Sequence, residues 1–311
     1  MASRPSIFNF LKEGALLPTH NRRLFAAVFV LAAASTSLLL LGNDLAVQPL
    51  ADKLSLDAKA LNGTDPGSPA FAHLVQEVQD DTRRLLLVGA AYLVSTVVVL
   101  TVVRVIVLFA AVTTYSGEPH TFGSLLGRAK AHLKGPLVTL AFVYALEVAY
   151  AALVAALAAL LAFLVARGYR LLLLAEALVL LVAGLFLVYL SFVCSLSVVV
   201  AVAEPGRQGP GAVGRAWRLM KKGTMRRVVL FFFVVGTLAA VFSPVHALAK
   251  AFALRNVASG LLLGVVYTVL MAAVELFAVC AMTAFYYESK GSTEASATDY
   301  VQVPDQEQTN A

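Results

Sequence analysis

Charged residues are scarce in this sequence, and their scarcity excludes an ordinary soluble domain. Only 14% of the 311 residues are Asp, Glu, Lys or Arg, whereas a soluble domain contains about 25%. Hydrophobic residues make up 60% of the chain, and the mean hydropathy is +0.83. The net charge of +6 and the pI near 9.4 would suit a nucleic-acid-binding surface, but so apolar a composition does not. The composition therefore predicts a membrane protein that binds no nucleic acid.

Residue types that support catalysis and metal binding are also few. The chain has two cysteines, Cys194 and Cys280, and both lie in apolar runs, where they are expected as small buried side chains and not as a disulfide. None of the five histidines forms a helix-spaced metal pair, and the sequence has no hydrolase elbow, P-loop or dinucleotide fingerprint. We therefore expect no enzymatic activity, no metal site and no cofactor.

Long apolar runs are what the sequence has in abundance. A helix needs about 20 predominantly apolar residues to cross a bilayer, and only a helix satisfies the backbone of such runs in lipid. The first run follows 23 polar-rich residues, so we expect a retained helix and not a cleaved signal peptide. Five or seven spans are the alternatives to six. The six predicted spans cover about residues 24–42, 85–112, 136–166, 171–203, 228–249 and 257–287.

The predicted fold class is therefore all-α, a polytopic transmembrane helical bundle. Residues 1–287 are predicted to form a single transmembrane domain. Residues 288–311 are rich in Ser, Thr, Gln and acids, a composition that predicts a disordered cytoplasmic tail.

The distribution of basic residues predicts the orientation of the chain. With six spans both termini lie on one side, and fifteen of the 24 Lys and Arg residues fall on that side against eight on the other. The positive-inside rule then predicts cytoplasmic termini. The sequon Asn62-Gly63-Thr64 falls in the first loop on the opposite side, which makes Asn62 a candidate for glycosylation. We expect an integral protein of the endomembrane system or the plasma membrane.

The most basic segment is GRAWRLMKKGTMRR at residues 214–227, which has six Lys and Arg residues, no acid and the only Trp of the chain. On a helical projection Ala216 and Met220 share a face with Trp217, and the arginines lie opposite. The pattern predicts a helix in the membrane interface, with Trp and Met at the acyl boundary and basic groups toward anionic headgroups of the inner leaflet. A calmodulin-type protein ligand is the alternative. The predicted lipid-facing or partner-facing residues are Arg215, Trp217, Arg218, Lys221, Lys222, Arg226 and Arg227.

Two further segments repeat this arrangement. GRAKAHLKG at residues 127–135 precedes the third span, and Phe10, Leu11 and Leu17 give residues before the first span an apolar face. The repeating unit is one cytoplasmic interfacial helix followed by two spans, three times over.

A resemblance to a known family rests on three stretches: FLKEGALLPTHNRRLF at residues 10–25, TYSGEP at 114–119 and AVGRAWRLMKKGTMRR at 212–227. They resemble elements of a plant family of six-span membrane proteins whose molecular function is not established. The last stretch is also loosely similar to the membrane domain that accompanies some bacterial glycerophosphodiester phosphodiesterases. The resemblance implies a fold and brings no catalytic residues.

Ionisable residues inside the spans require an explanation, because charge in hydrocarbon is costly unless it is paired or hydrated. Arg104, Glu147 and Glu275 lie at similar depths when counted from the predicted cytoplasmic ends, so they form a candidate intramembrane charge cluster. A buried ion pair that fixes helix register is one reading, and a proton or cation relay is the other.

Together these features predict a non-enzymatic integral membrane protein that organises lipid or partner proteins through basic interfacial helices. The predicted partners are anionic lipids of the inner leaflet, and the sequence identifies no protein partner. The alternative is a transporter or channel that uses the intramembrane acids.

Overall fold

The structure, a computed structural model, describes residues 8–65, 67–117, 121–167, 170–220, 225–253 and 256–301. Within these ranges every regular element is a helix, and no strand is present. The all-α prediction is confirmed. In chain order the helices are α1 (Asn9–His20), α2 (Arg22–Gly42), a π-helical turn (Asn43–Val47), α3 (Gln48–Gly63), α4 (Pro69–Tyr115), α5 (Phe122–His132), α6 (Lys134–Arg167), α7 (Arg170–Ala203), α8 (Pro210–Leu219), α9 (Met225–Ala253) and α10 (Val257–Val301).

Six helical segments of the described chain are long and apolar enough to cross a membrane, which agrees with the predicted number of spans. The first is the continuous run of α2, the π-helical turn and α3, and the others are α4, α6, α7, α9 and α10. Each predicted span lies within one of these segments. By its composition and its six apolar helices, the protein is a membrane protein.

The surface of α7 illustrates why a bilayer suits these helices. Leu174, Leu178, Leu181 and Leu185 recur at helical spacing along one face, and all four are exposed. An uninterrupted stripe of large apolar side chains is rare on the surface of a soluble monomer. Lipid tails are the medium that covers such a stripe without a hydration cost.

Three short helices accompany the long ones at the positions that the sequence repeat predicts. Helix α1 precedes the first span, α5 the third and α8 the fifth. The N-terminus of α5 is capped by Thr121, whose hydroxyl accepts a hydrogen bond from the Ser124 amide. Helix α8 begins with Pro210, which suits the first turn of a helix, and follows Gly209, whose φ of 53° favours glycine.

The chain divides into two compact units. Unit 1 comprises residues 1–28, 105–241 and 274–311, and unit 2 comprises residues 29–104 and 242–273. All three short helices belong to unit 1, so the features that the sequence analysis ties to the interfacial helices can be described within one unit.

Aromatic side chains form the core of unit 1. Phe192 of α7 contacts Phe231 of α9 and Phe285 of α10 edge to face, with ring centroids 5.4 and 5.3 Å apart. Phe10 of α1 adds a fourth ring, 5.7 Å from Phe285. Edge-to-face pairs at these distances are favourable. The apolar face of α1 is therefore buried in a core to which three long helices, α7, α9 and α10, contribute.

Polar side chains join the helices of unit 2. The hydroxyls of Ser37 on α2 and Thr268 on α10 share a hydrogen bond of 2.7 Å. Tyr92 of α4 donates its hydroxyl to the Leu39 carbonyl of α2 at 2.7 Å. Hydrogen bonds of this kind are a usual means of joining helices in lipid, where apolar burial alone gives little preference.

The predicted tail begins inside a helix. Helix α10 continues to Val301, so the predicted boundary at Glu288 is not a helix end. Arg227 pairs with Glu288 at 3.1 Å, and Ser289 is buried, so the first two residues of the predicted tail pack against protein. The disorder of the tail stays a prediction. The rest of the predicted tail, residues 302–311, lies outside the described residues.

Candidate functional site

The candidate site is the part of unit 1 built from α1, α5, α8, residues 204–209, which join α7 to α8, and the residues of α9 and α10 around Arg226 and Glu288. We call it the short-helix end. These elements adjoin the predicted cytoplasmic ends of the spans, where the sequence places most of its basic residues. The site therefore contains the amphipathic helices, the acids that pair with them and the exposed basic side chains.

Helix α8 packs its apolar face onto protein. Ala212, Ala216 and Leu219 are buried, and Met220 is only 5% exposed. The helical projection predicts Met220, together with Trp217, at the acyl boundary of the lipid, whereas the Met220 side chain is buried in protein. Small alanines allow α8 to lie close to α7, so the face expected to enter lipid is occupied by protein.

Trp217 differs from the other apolar residues of α8 because 40% of it remains exposed. Its ring meets Tyr189 of α7 edge to face, with centroids 5.3 Å apart. One edge of the indole therefore packs on protein while the rest faces outward. This is the usual arrangement of a Trp at a membrane interface, where one part of the ring is apolar and another is wet.

Two of the predicted lipid-facing arginines pair with acids within unit 1. Arg215 is 19% exposed, and its Nε lies 3.6 Å from Oε1 of Glu204, an ion-pair distance. Arg227 is 21% exposed, and its guanidinium lies 3.1 Å from Glu288. Both acids lie outside residues 214–227. A helical projection of that segment therefore cannot predict these two ion pairs.

The remaining predicted residues divide into exposed and undescribed ones. Trp217, Arg218 and Arg226 are exposed at the short-helix end. Lys221 and Lys222 lie outside the described residues. The exposed group thus retains the combination of an aromatic ring and guanidinium groups that the interfacial prediction requires.

Glu204 is the main acid of this end, and the sequence analysis missed it. Its carboxylate accepts a hydrogen bond of 2.8 Å from the Tyr286 hydroxyl and lies 3.0 Å from Nε of Arg207. With Arg215, this gives one carboxylate three partners from three parts of the chain. The available signal was position: Glu204 directly follows an apolar span and precedes a strongly basic segment.

A second polar group ties α1 to two long helices. Tyr115 of α4 donates its hydroxyl to Glu13 of α1 at 2.9 Å, and Asn9 donates to the other carboxylate oxygen at 2.9 Å. The Tyr115 ring stacks on Tyr287 of α10, with centroids 4.4 Å apart and planes 8° apart. The Tyr287 hydroxyl in turn shares a 3.0 Å hydrogen bond with Ser116. The TYSGEP stretch therefore contacts α1 through Tyr115 and α10 through Tyr115 and Ser116.

The predicted intramembrane cluster is distributed over both units. Glu147 on α6 and Glu275 on α10 belong to unit 1, and Arg104 on α4 belongs to unit 2. Glu147 accepts a hydrogen bond of 3.4 Å from the Ser191 hydroxyl of α7. This hydrogen bond lowers the free-energy cost of burying the Glu147 carboxyl group in apolar surroundings. The cluster itself stays a prediction.

Carboxylates that could hold a cation lie in unit 2. Asp57, Glu77 and Asp81 present oxygens within 4.8 Å of one another. Lys53 lies among them, with its Nζ 2.7 Å from Asp81 and 3.3 Å from Glu77. An ammonium group thus supplies the positive charge that a metal ion would otherwise bring.

Asn62, the candidate for glycosylation, is exposed in the last turn of α3.

Comparison with known proteins gives one match. A family model described as Domain of unknown function (DUF8558) matches residues 5–300, nearly the whole chain. No curated protein and no solved structure matches. The resemblance to plant six-span proteins and to the bacterial phosphodiesterase membrane domain stays a prediction.

Proposed function

Because the chain belongs to the DUF8558 family, whose description assigns no activity, we propose its function from the short-helix end. The protein is a non-enzymatic membrane component that gathers anionic lipid around this end. The observation that carries the proposal is the arrangement of α8, whose apolar face is buried in protein while Trp217 and Arg218 face outward.

The exposed basic side chains of the short-helix end can attract anionic lipid because neighbouring acids are already paired within the protein. Glu204 and Glu288 are engaged by Arg207, Arg215 and Arg227, so the charges of these two acids are neutralised within the protein. Arg218, which follows Trp217 on α8, then presents positive charge, and Arg226 at the start of α9 adds a second exposed guanidinium group. A basic residue near an anionic leaflet contributes about 1 kcal/mol, and salt screens that attraction.

The test measures which lipids surround the full-length protein in a bilayer. The protein is reconstituted with spin-labelled phosphatidylserine or phosphatidylcholine at trace level, and the motionally restricted fraction of each is compared. We expect preference for phosphatidylserine that declines with salt. The double variant Arg218→Gln/Arg226→Gln should lose about 2 kcal/mol of that preference, at about 1 kcal/mol per charge.

The control removes two exposed basic residues from unit 2, on the predicted opposite side of the membrane: Lys59→Gln/Arg83→Gln. With both leaflets carrying the same lipids, equal losses in the two double variants would mean that net charge alone matters, and the special role of the short-helix end would be wrong. No preference in the unmodified protein would also refute the proposal.

A further inference from the structure

A cleft of about 180 Å³ lies in unit 1 where α5 leads into α6. The opposite wall is the end of α7 and the segment that follows it. Buried Phe109, Ala201 and Val202 form the apolar floor, while Arg128, His132 and Lys134 are exposed at the rim. This volume is well above the roughly 10–15 Å³ that one water requires, so a small polar group fits.

Hydrogen bonds hold the two walls of the cleft together. The Thr139 hydroxyl donates to the Gly135 carbonyl at 3.0 Å and accepts from the Gly209 amide at 2.9 Å. Gln208 lies against Gly135, where a Cβ would be only 3.2 Å from its Nε2. Gly206 has a φ of 116°, a conformation that glycine adopts readily. The cleft is thus a built feature of the backbone, and it does not depend on long surface side chains for its shape.

The charge of the cleft has one sign. Among the residues that the structure describes, its lining includes Arg128, His132 and Lys134 and no acid. Glu204 precedes the lining residue Pro205, but its carboxylate is engaged by Tyr286 and by two arginines of the short-helix end.

We propose that this cleft binds a phosphate group. Arginine and lysine at close quarters are the usual protein partners of phosphate, arginine through its planar fork and lysine as a point charge. A histidine ring nitrogen and the Gln208 amide add further donors around the same small volume. The phosphate is carried either by a lipid headgroup with a terminal phosphomonoester or by a free phosphate ion.

This inference goes beyond the proposed function, because exposed charge on α8 distinguishes lipids by net charge alone. A cleft with donors on both walls distinguishes a compact, doubly charged phosphomonoester from a phosphodiester that carries a serine. The two ideas can therefore fail separately.

The experiment uses the full-length protein in a neutral detergent and in bilayers. In detergent, inorganic phosphate is titrated calorimetrically, with sodium chloride at matched ionic strength as the reference. In bilayers, spin-labelled phosphatidic acid is compared with spin-labelled phosphatidylserine at equal surface charge. Binding of inorganic phosphate identifies the free ion as a ligand, and selective retention of phosphatidic acid without it identifies the lipid headgroup. Either result supports the cleft.

Variants test the residues. Arg128→Gln/Lys134→Gln should weaken phosphate or phosphatidic acid binding at least tenfold. Lys130→Gln is the matched control, because Lys130 is exposed on the same helix and does not line the cleft. It should change affinity less than twofold. Unchanged thermal midpoints verify that the variants fold.

Three results would overturn the inference: no response to phosphate together with equal retention of the two lipids, unchanged affinity in the double variant, or an equal loss in Lys130→Gln. In each case the phosphatidylserine preference assigned to Arg218 and Arg226 is measured independently and would still stand or fall by its own test.

Discussion

The crossing of α1 over α10 gives the sharpest prediction about folding. Gly14 lies so close to α10 that an added Cβ would be 2.5 Å from the Cα of Ala281 and 2.6 Å from its nitrogen. Ordinary contacts of a Cβ lie at 3.4–4 Å, so the overlap approaches 1 Å. The clashing atoms belong to the backbone, and no change of rotamer relieves them.

Two effects of Gly14→Ala oppose each other. Alanine favours a helix by about 1 kcal/mol over glycine. Overpacking costs about 1–3 kcal/mol, and a backbone clash belongs at the upper end of that range. We therefore expect the free energy of unfolding to fall by about 2 kcal/mol. The assay is denaturant or thermal unfolding of the purified protein in one detergent.

The matched control is Gly127→Ala in α5, another short amphipathic helix. An added Cβ there meets nothing within 4 Å, so only the propensity gain remains and stability should rise by about 1 kcal/mol. Adding Ala281→Gly to Gly14→Ala should restore little, because the two closest contacts are to backbone atoms. A Gly14→Ala protein as stable as the unmodified one would show that α1 does not lie this close to α10.

The remaining predictions concern topology, the Glu204 network and the intramembrane charges. In sealed microsomes a C-terminal tag should be digested by added protease, and Asn62 should be modified only from the lumenal side; a protected tag would contradict the charge count. Tyr286→Phe should lower the free energy of unfolding by about 1.5–3 kcal/mol, because the charge-assisted hydrogen bond to Glu204 is lost at a buried site, and an unchanged value would contradict it. If Arg104 pairs with Glu147, Arg104→Leu should lower the thermal midpoint and the added Glu147→Leu should restore part of it. A transporter would instead keep its stability and lose proton-coupled flux when Glu147 alone is replaced.

Local sequence pattern was sufficient to predict the six apolar spans and the three short helices, but not α3 or the first residues of α4, which fall in the predicted first loop. Each of the six spans is a run of Leu, Val and Ala long enough to cross a bilayer, a property that depends only on neighbouring residues. The three short helices were also predictable, because Phe10, Leu125 and Ala216 mark apolar faces at helical spacing and all three are buried.

What covers those faces could not be predicted, because it depends on residues distant in sequence. The Arg215 side chain packs against protein because it pairs with Glu204, which lies before α8 in the chain. Glu204 is held in part by a hydrogen bond from Tyr286, 82 residues further along the chain. A helical projection contains neither partner. Glu288 is a second example, because its partner Arg227 is equally absent from the local pattern around it. Their ion pair packs the first residue of the predicted tail against protein.

The position of Trp217 gives the protein an optical reporter at its candidate site. Because it is the only tryptophan of the chain, all indole emission comes from α8. Its partly exposed ring can be reached by quenchers, and brominated acyl chains placed at different bilayer depths would measure how far α8 lies from the lipid midplane. Tyr189, at 5.3 Å, acts as a built-in energy donor whose transfer efficiency falls if α8 detaches from α7. The docking of this helix and its contact with lipid can therefore be followed by fluorescence in the unmodified protein, without attaching a label.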